Sequence, residues 1–333
     1  MLQHGRLYKA HLILPILYLF IVLGVNYYLG FISFDFQVTS LAARDAATAL
    51  IAPLLVAFAW WASYKTLYSS AFYLSFLLSH RRKKSRVRLA ETLRLTFLSQ
   101  LLKAFPYIFV CALLVSSGYV FSQGIADKIT EQPKRVVLLL QAIPMWLTGL
   151  SLFSSNIIVL RFIKRHLQKH FRVRLFEMEE MMPLCKLVLH NFCLSSILLA
   201  LYSITFLFVE VPVTDAVLLS VISLLIVLLL FQPIWEVHSV VAKRRSLALA
   251  RINDSLKTEI SPEKRVSETR RLVDDDTRLQ FISDLLTVRT EMERAPSWPL
   301  TLPFTLKILV LILLPMLSWT GAGLMSQLIK VIL

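Results

Sequence analysis

Two pairs of side chains have a spacing that chemistry uses. His166 and His170 stand at i and i+4 in Arg165-His166-Leu167-Gln168-Lys169-His170, and Glu177, Glu179 and Glu180 follow. On a helix this spacing puts both imidazoles on one face, where they can hold a metal ion. A membrane di-iron oxygenase or desaturase needs several such clusters. The plausible additions here are His190 and His238, each a lone histidine. Lys164, Arg165 and Lys169 would also repel a cation. The pair therefore reads as part of a basic helix beside a membrane, attracted by anionic lipid.

His190 and Cys193 are the second pair. Three apart on a helix, they can share a face, as a thiol nucleophile and its base must. A third group to orient the imidazole is missing. The nearest carboxylate in sequence, Glu180, lies ten residues back in another segment, and Lys186 one turn earlier opposes an imidazolium. The pair reads as an interfacial histidine above a small apolar cysteine. The chain has no Gly-x-Ser-x-Gly and, with only eight glycines, no glycine-rich phosphate loop. No catalytic, cofactor-binding or metal-ligating residue is assigned, no cofactor is expected, and an enzyme is not the favoured reading. Cys111, Cys185 and Cys193 lie in or beside apolar runs, so no disulfide and no zinc site is expected.

The elements that must position these residues are membrane helices. The chain has 333 residues, 56% of them hydrophobic and 17% charged. A soluble domain of that length carries far more polar surface. Spanning takes about 20 apolar residues, and seven runs qualify. They are Leu12 to Phe31, Ala46 to Leu78, Ala104 to Ser122, Val136 to Leu160, Leu187 to Val209, Ala216 to Pro233 and Phe304 to Met325. The first follows a short basic stretch and lacks a cleavage site, so it is expected to be retained rather than removed as a signal peptide. The second is interrupted by Lys65 and exceeds one crossing. Either it tilts, or it crosses by about Tyr64 and its tail lies along the interface. An amphipathic stretch from Leu89 leads into the third. Pro315 is expected to kink the seventh.

None of the runs carries Asp or Glu in its interior. Proton- and sodium-coupled transporters commonly use such a buried carboxylate, so that class loses its usual coupling site. Lys65, Lys103, Lys186 and Lys307 lie toward the basic ends of runs, where long side chains snorkel to lipid phosphate. A basic vestibule attracting anions is the sharper alternative.

The segments between runs alternate in charge. Arg81, Arg82, Lys83, Lys84, Arg86, Arg88 and Arg94 follow the second run, and Arg161, Lys164, Arg165, Lys169, Arg172 and Arg174 follow the fourth. The segment after the sixth holds twelve Lys/Arg. The intervening loops carry Arg44 alone, then Lys128, Lys134 and Arg135, then none. The positive-inside rule places the N-terminus in the cytoplasm and the C-terminus outside. The membrane expected is a bacterial inner membrane. The net charge of +15 is then assigned to topology and anionic lipid rather than to nucleic acid. Arg81, Arg82, Lys83, Lys84, Arg161, Lys164 and Arg165 are the candidate lipid or anion contacts.

Residues 235–298 differ, with twelve basic and eleven acidic residues. Leu249, Ile252 and Leu256 recur at helical spacing, a break follows at Ser261-Pro262-Glu263, and Leu279, Ile282 and Leu285 repeat the pattern. Serine favours an N-cap and proline the first helical position. The segment reads as a cytosolic helical hairpin, coiled-coil-like, whose arms continue the sixth helix and lead into the seventh. Each stripe is too narrow to fold alone. The six residues Leu249, Ile252, Leu256, Leu279, Ile282 and Leu285 are its candidate interface.

The expected fold is therefore all-α: a polytopic membrane protein with a six-helix region over 1–234, the hairpin over 235–298, and a seventh span with a short external tail over 299–333. Small residues mark where helices approach closely or line a pore. Ser151 and Ser155 on the fourth span, and Pro315, Ser318, Gly321 and Gly323 on the seventh, are the candidates. The expected function is a homo-oligomeric channel or membrane effector in which the hairpin senses a signal or drives assembly. A scaffold subunit of a larger complex is the alternative, ahead of a transporter or lipid-modifying enzyme. Anionic membrane lipids and further copies or subunits are the expected partners.

Overall fold

A computed structural model describes residues 2–32, 41–78, 83–122, 133–170, 182–206, 213–260, 276–294 and 302–332; at several helix ends it describes the backbone alone. Over these residues the chain is all helical: α1 Leu2–Tyr28, α2 Leu41–Leu78, α3 Lys83–Ser122, α4 Val136–His170, α5 Met182–Ser203, α6 Val213–Ile260, α7 Asp276–Arg294 and α8 Leu302–Ile332. Short 3-10 turns, Pro133–Arg135 and Ile204–Phe206, precede α4 and follow α5. Five stretches are long and apolar enough to cross a membrane: Asp45–Leu78, Ser85–Phe121, Pro133–Arg165, Met182–Ser203 and Ser220–Thr258. Leu12–Tyr28 and Thr305–Gly321 are shorter apolar helices. Pro15, Pro53, Pro106, Pro144 and Pro233, besides Pro315, all sit inside helices. Bilayer-spanning helices tolerate this because neighbouring groups take up the freed carbonyls.

The hub is α2, against which α1, α3, α4 and α5 all pack. Its composition explains why. Hydrocarbon offers no hydrophobic drive for one apolar helix to leave lipid for another, so close packing of small residues decides the contacts. Ala46, Ala49, Ala52, Ala59 and Ala62 are all at most 5% exposed. They recur at intervals of three or seven, which keeps them near one face of the helix. Beyond Tyr64 the helix continues unbroken, and its tail packs into the protein through Leu67, Ala71, Leu74 and Leu77. Likewise α3 runs the amphipathic stretch and the apolar run together, with Leu93 and Phe97 facing the interior.

The larger cluster of buried apolar side chains lies at the basic end. There the α2 tail meets Leu93 and Phe97 of α3, Val159 and Ile163 of α4, Leu184 and Val188 of α5, Ile234 and Val237 of α6, and Ile308 of α8. The Phe97 ring meets Phe162 edge-on, with centroids 5.1 Å apart. Lys164 of α4 pairs with Glu236 of α6 at 3.1 Å.

The weakly charged end is held by polar clasps instead. Asn26 of α1, fully buried, donates to the Ala49 carbonyl of α2 at 2.7 Å. It also exchanges two hydrogen bonds with Gln141 of α4, at 2.7 and 3.3 Å. Arg135 pairs with Asp45 at 2.9 Å and ties the start of α4 to the start of α2.

Helix α8 leans on α5: the Ser318 hydroxyl donates to the Ala200 carbonyl at 3.1 Å and touches the Ser203 hydroxyl. Helix α7 packs on α6, where Arg245 donates to the Glu293 carbonyl.

Candidate functional site

The basic half of α6 is packed tightly and the other half is not. Leu230, Ile234, Val237 and Val241 are each at most 2% exposed, whereas Val217, Val221, Leu224, Leu225 and Leu228 are exposed. Pro233 sits where the two halves meet and lacks the N–H that would close a helical hydrogen bond there. Above that point α6 stands away from α2, α4 and α5. The gap is a cavity of about 290 Å³. That is near the lower end of small-molecule sites, ~300 Å³. Ile222, Leu225 and Ile226 form its α6 wall, and Leu225 is 48% exposed, so the cavity opens sideways beside α6.

Its lining is almost wholly apolar: Leu55 and Ala59 from α2, Met145 to Phe153 in part from α4, Leu198 and Leu199 from α5. Four lining residues carry polar atoms: Trp146, Asn156, Ser195 and Tyr202. Asn156 is 3% exposed; its amide donates to the Leu152 carbonyl at 3.1 Å, while its side-chain oxygen has no hydrogen-bond partner. The Trp146 indole N–H is buried without a partner too. A buried polar group left without a hydrogen bond costs about 1–3 kcal/mol. Gly149 widens the space, since a Cβ there meets no atom within 4 Å. Among the described residues no charged side chain lines the cavity.

From Ser195 a buried polar seam continues between α5 and α2. Asn191, one turn from Ser195, donates to the Ser70 hydroxyl at 3.3 Å. The Asn191 oxygen, the Thr66 hydroxyl and His190 Nε2 have no hydrogen-bond partner. The seam is neutral except at its edges. There Lys65 stands over Tyr68 at 5.9 Å, and Arg94 lies over Tyr64 and Tyr68 at 5.6 and 5.8 Å. A guanidinium over a ring face retains some stabilisation after losing water, which suits an arginine only 8% exposed.

The residues singled out in the sequence fall elsewhere. Ser151 donates to Leu147 at 2.7 Å and Ser155 to Ser151 at 2.8 Å, so both hydroxyls are taken up by their own helix. Ser318 joins α8 to α5, and Pro315 is buried in α8. A Cβ at Gly321 or Gly323 meets nothing within 4 Å, so neither glycine serves an approach of helices within one chain. Arg161 and Arg165 are exposed, and Lys164 is half-exposed with Glu236 as its partner. Lys103, Lys186 and Lys307 are exposed, as snorkelling requires. Arg81 and Arg82 lie outside the described residues, as do the side chains of Lys83, Lys84, His166 and His170. His190 and Cys193 sit on α5, and among the described residues neither has a carboxylate partner and no group of three His, Cys, Asp or Glu is placed to hold a metal. Of the hairpin candidates, Leu256 is buried, Leu249, Ile252, Ile282 and Leu285 are half-buried, and Leu279 is exposed. The Ser261-Pro262-Glu263 break lies outside the described residues, immediately past the end of α6 at Ile260.

Asn156, Trp146 and Ser195 are not among the candidates drawn from the sequence. An asparagine inside an apolar run was the available signal. Comparison with protein-family models, with curated proteins and with solved structures gives no match.

Proposed function

We propose that the chain spans the membrane seven times and works as a homo-oligomeric channel or membrane effector, moved by a cytosolic arm built from the end of α6 and α7. The observation that carries this reading is the continuity of α6. One helix, Val213–Ile260, holds a cavity wall at one end and Lys243, Arg244 and Arg245 toward the other. A displacement of the arm passes along a helical backbone to the span without a flexible joint, Pro233 being the one weak point. The contact of Arg245 with Glu293 supports a hairpin in which α7 runs back along α6. The apolar side chains Leu279, Phe281, Leu286 and Val288 remain exposed on α7 and offer a surface for a second copy.

The seven-span count adds α1 and α8 to the five long apolar stretches. The alternation of basic and weakly charged loops supports a cytoplasmic N-terminus and an external C-terminus. A bacterial inner membrane remains the proposed location, and anionic lipid at Arg161 and Arg165 the proposed surface contact. A scaffold subunit is the second reading, favoured by the apolar interior and by buried serines that bond their own helices. Two experiments test the proposal. Purified protein in liposomes should be oligomeric by native mass spectrometry and should pass ions. Monomeric protein without flux, copurifying with a stoichiometric partner, would select the scaffold. A cysteine at Ser267, in a background without native cysteines, should be shielded from an impermeant thiol reagent in intact cells, and one at Thr214 should react.

A further inference from the structure

Two cations, one from α2 and one from α3, gather on a single aromatic side chain at the basic end. Tyr68 is 37% exposed. The Lys65 ammonium lies 5.9 Å from the centre of its ring and the Arg94 guanidinium 5.8 Å. Arg94 is 8% exposed, so its charge has lost most of its water and acts on an anion more strongly than a solvated one. Among the described residues a single carboxylate answers the two charges. Glu91, half-exposed, meets Arg94 Nη1 at a long 3.4 Å, and Lys65 pairs with none. One net positive charge is left over. Arg94 Nε is enclosed without a partner. Arg94 Nη2 and Lys65 Nζ differ: among the described residues neither has a hydrogen bond, and both stay open to the surface.

Depth decides what comes near them. Asp45, paired with Arg135, marks the weakly charged end. Lys65 stands twenty residues further along the same helix, a rise of about 30 Å. That matches the ~30 Å thickness of bilayer hydrocarbon, so the two cations lie near the lipid phosphates of the basic side. On α3 the face that carries Arg94 continues as Leu98, Leu101 and Phe105, an apolar track with Phe105 exposed.

We infer that Lys65 and Arg94 hold one phosphate group beside the Tyr68 ring, through Lys65 Nζ and Arg94 Nη2. Charge-assisted hydrogen bonds from a guanidinium and an ammonium suit a phosphate oxyanion. The apolar track on α3 favours an anionic phospholipid as its carrier, with one chain along Leu98 and Phe105. The site stands whether or not the protein conducts ions, and apart from the surface contact at Arg161 and Arg165.

The test uses the full chain in dodecyl maltoside, washed free of lipid so that no phosphate is present. Low-dose acetic anhydride, read by peptide mass spectrometry, reports the accessibility of Lys65, with the exposed Lys186 and Lys307 as references. Dioleoylphosphatidylglycerol should slow acetylation of Lys65 about fivefold relative to the references, and dioleoylglycerol, which lacks the phosphate, should not. Arg94→Gln should raise the lipid concentration for half-protection about tenfold, the loss of one charge-assisted hydrogen bond. Arg161→Gln should leave it unchanged. Inorganic phosphate at constant ionic strength is the second source. Protection by either source supports the site, and the one that acts at lower concentration names the carrier. Equal slowing at Lys65 and Lys186 in the parent would overturn the inference and leave a general pull of the basic surface on anionic lipid. Equal protection by dioleoylglycerol, or undiminished protection in Arg94→Gln, would overturn it as well. The parent comparison decides even where Arg94→Gln does not fold.

Discussion

The Asn26–Gln141 clasp allows the sharpest test of how the weakly charged end is held. Asn26 is 0% exposed and Gln141 6%. Two hydrogen bonds join them, and a third joins Asn26 to the Ala49 carbonyl. Hydrogen bonds between membrane helices contribute about 0.6 kcal/mol each. Asn26→Leu removes all three and should cost about 2 kcal/mol. Gln141→Leu removes two of them and leaves the bond to Ala49. The double variant sheds the pair together, so the coupling energy of the cycle should be about 1.2 kcal/mol, roughly eightfold in the unfolding equilibrium. Reversible unfolding by SDS titration in bicelles, for the parent, both single variants and the double variant, measures it. Additive single effects, with a coupling below about 0.3 kcal/mol, would refute the clasp as an interacting pair. A coupling of the expected size with α1 still free to leave the bundle, read by crosslinking of α1 to α4, would show that the clasp stabilises without docking α1.

Three other outcomes follow from the packing. Phe97→Ala at the basic end should destabilise by about 3 kcal/mol by opening a cavity next to Phe162, seen in the same SDS titration; a loss under ~1 kcal/mol would mean that end is loosely packed. Leu256→Asp should free α7 from α6, because Leu256 is buried and a carboxylate there costs about 1–3 kcal/mol; protease cleavage within residues 261–275 should quicken, whereas Ser255→Asp, on the exposed side, should leave it unchanged. Gly321→Leu should leave the fold of one chain intact, since open space surrounds it. If α8 forms the contact between copies, the same change should diminish the crosslinked oligomer, and an unchanged oligomer would move that contact elsewhere.

Residue types alone determined where the helices lie. Apolar runs bounded by charge clusters cannot do otherwise in lipid, where each backbone group must bond within its own helix. The alternation of loop charges was equally legible, and the proposed orientation rests on it. The neighbours of each helix were not. In hydrocarbon, hydropathy is the same whether an apolar side chain meets lipid or protein, so Val159 and Val221 look alike in sequence although one is fully buried and the other half exposed. The alanines of α2 held the decisive signal, since small side chains let backbones approach, while the more conspicuous Gly321 and Gly323 face open space. The cavity belonged wholly to the tertiary structure. It exists because α6 is packed at one end and free at the other, and no local property of Asn156, Gly149 or Leu225 reports the distance between helices that brings them together.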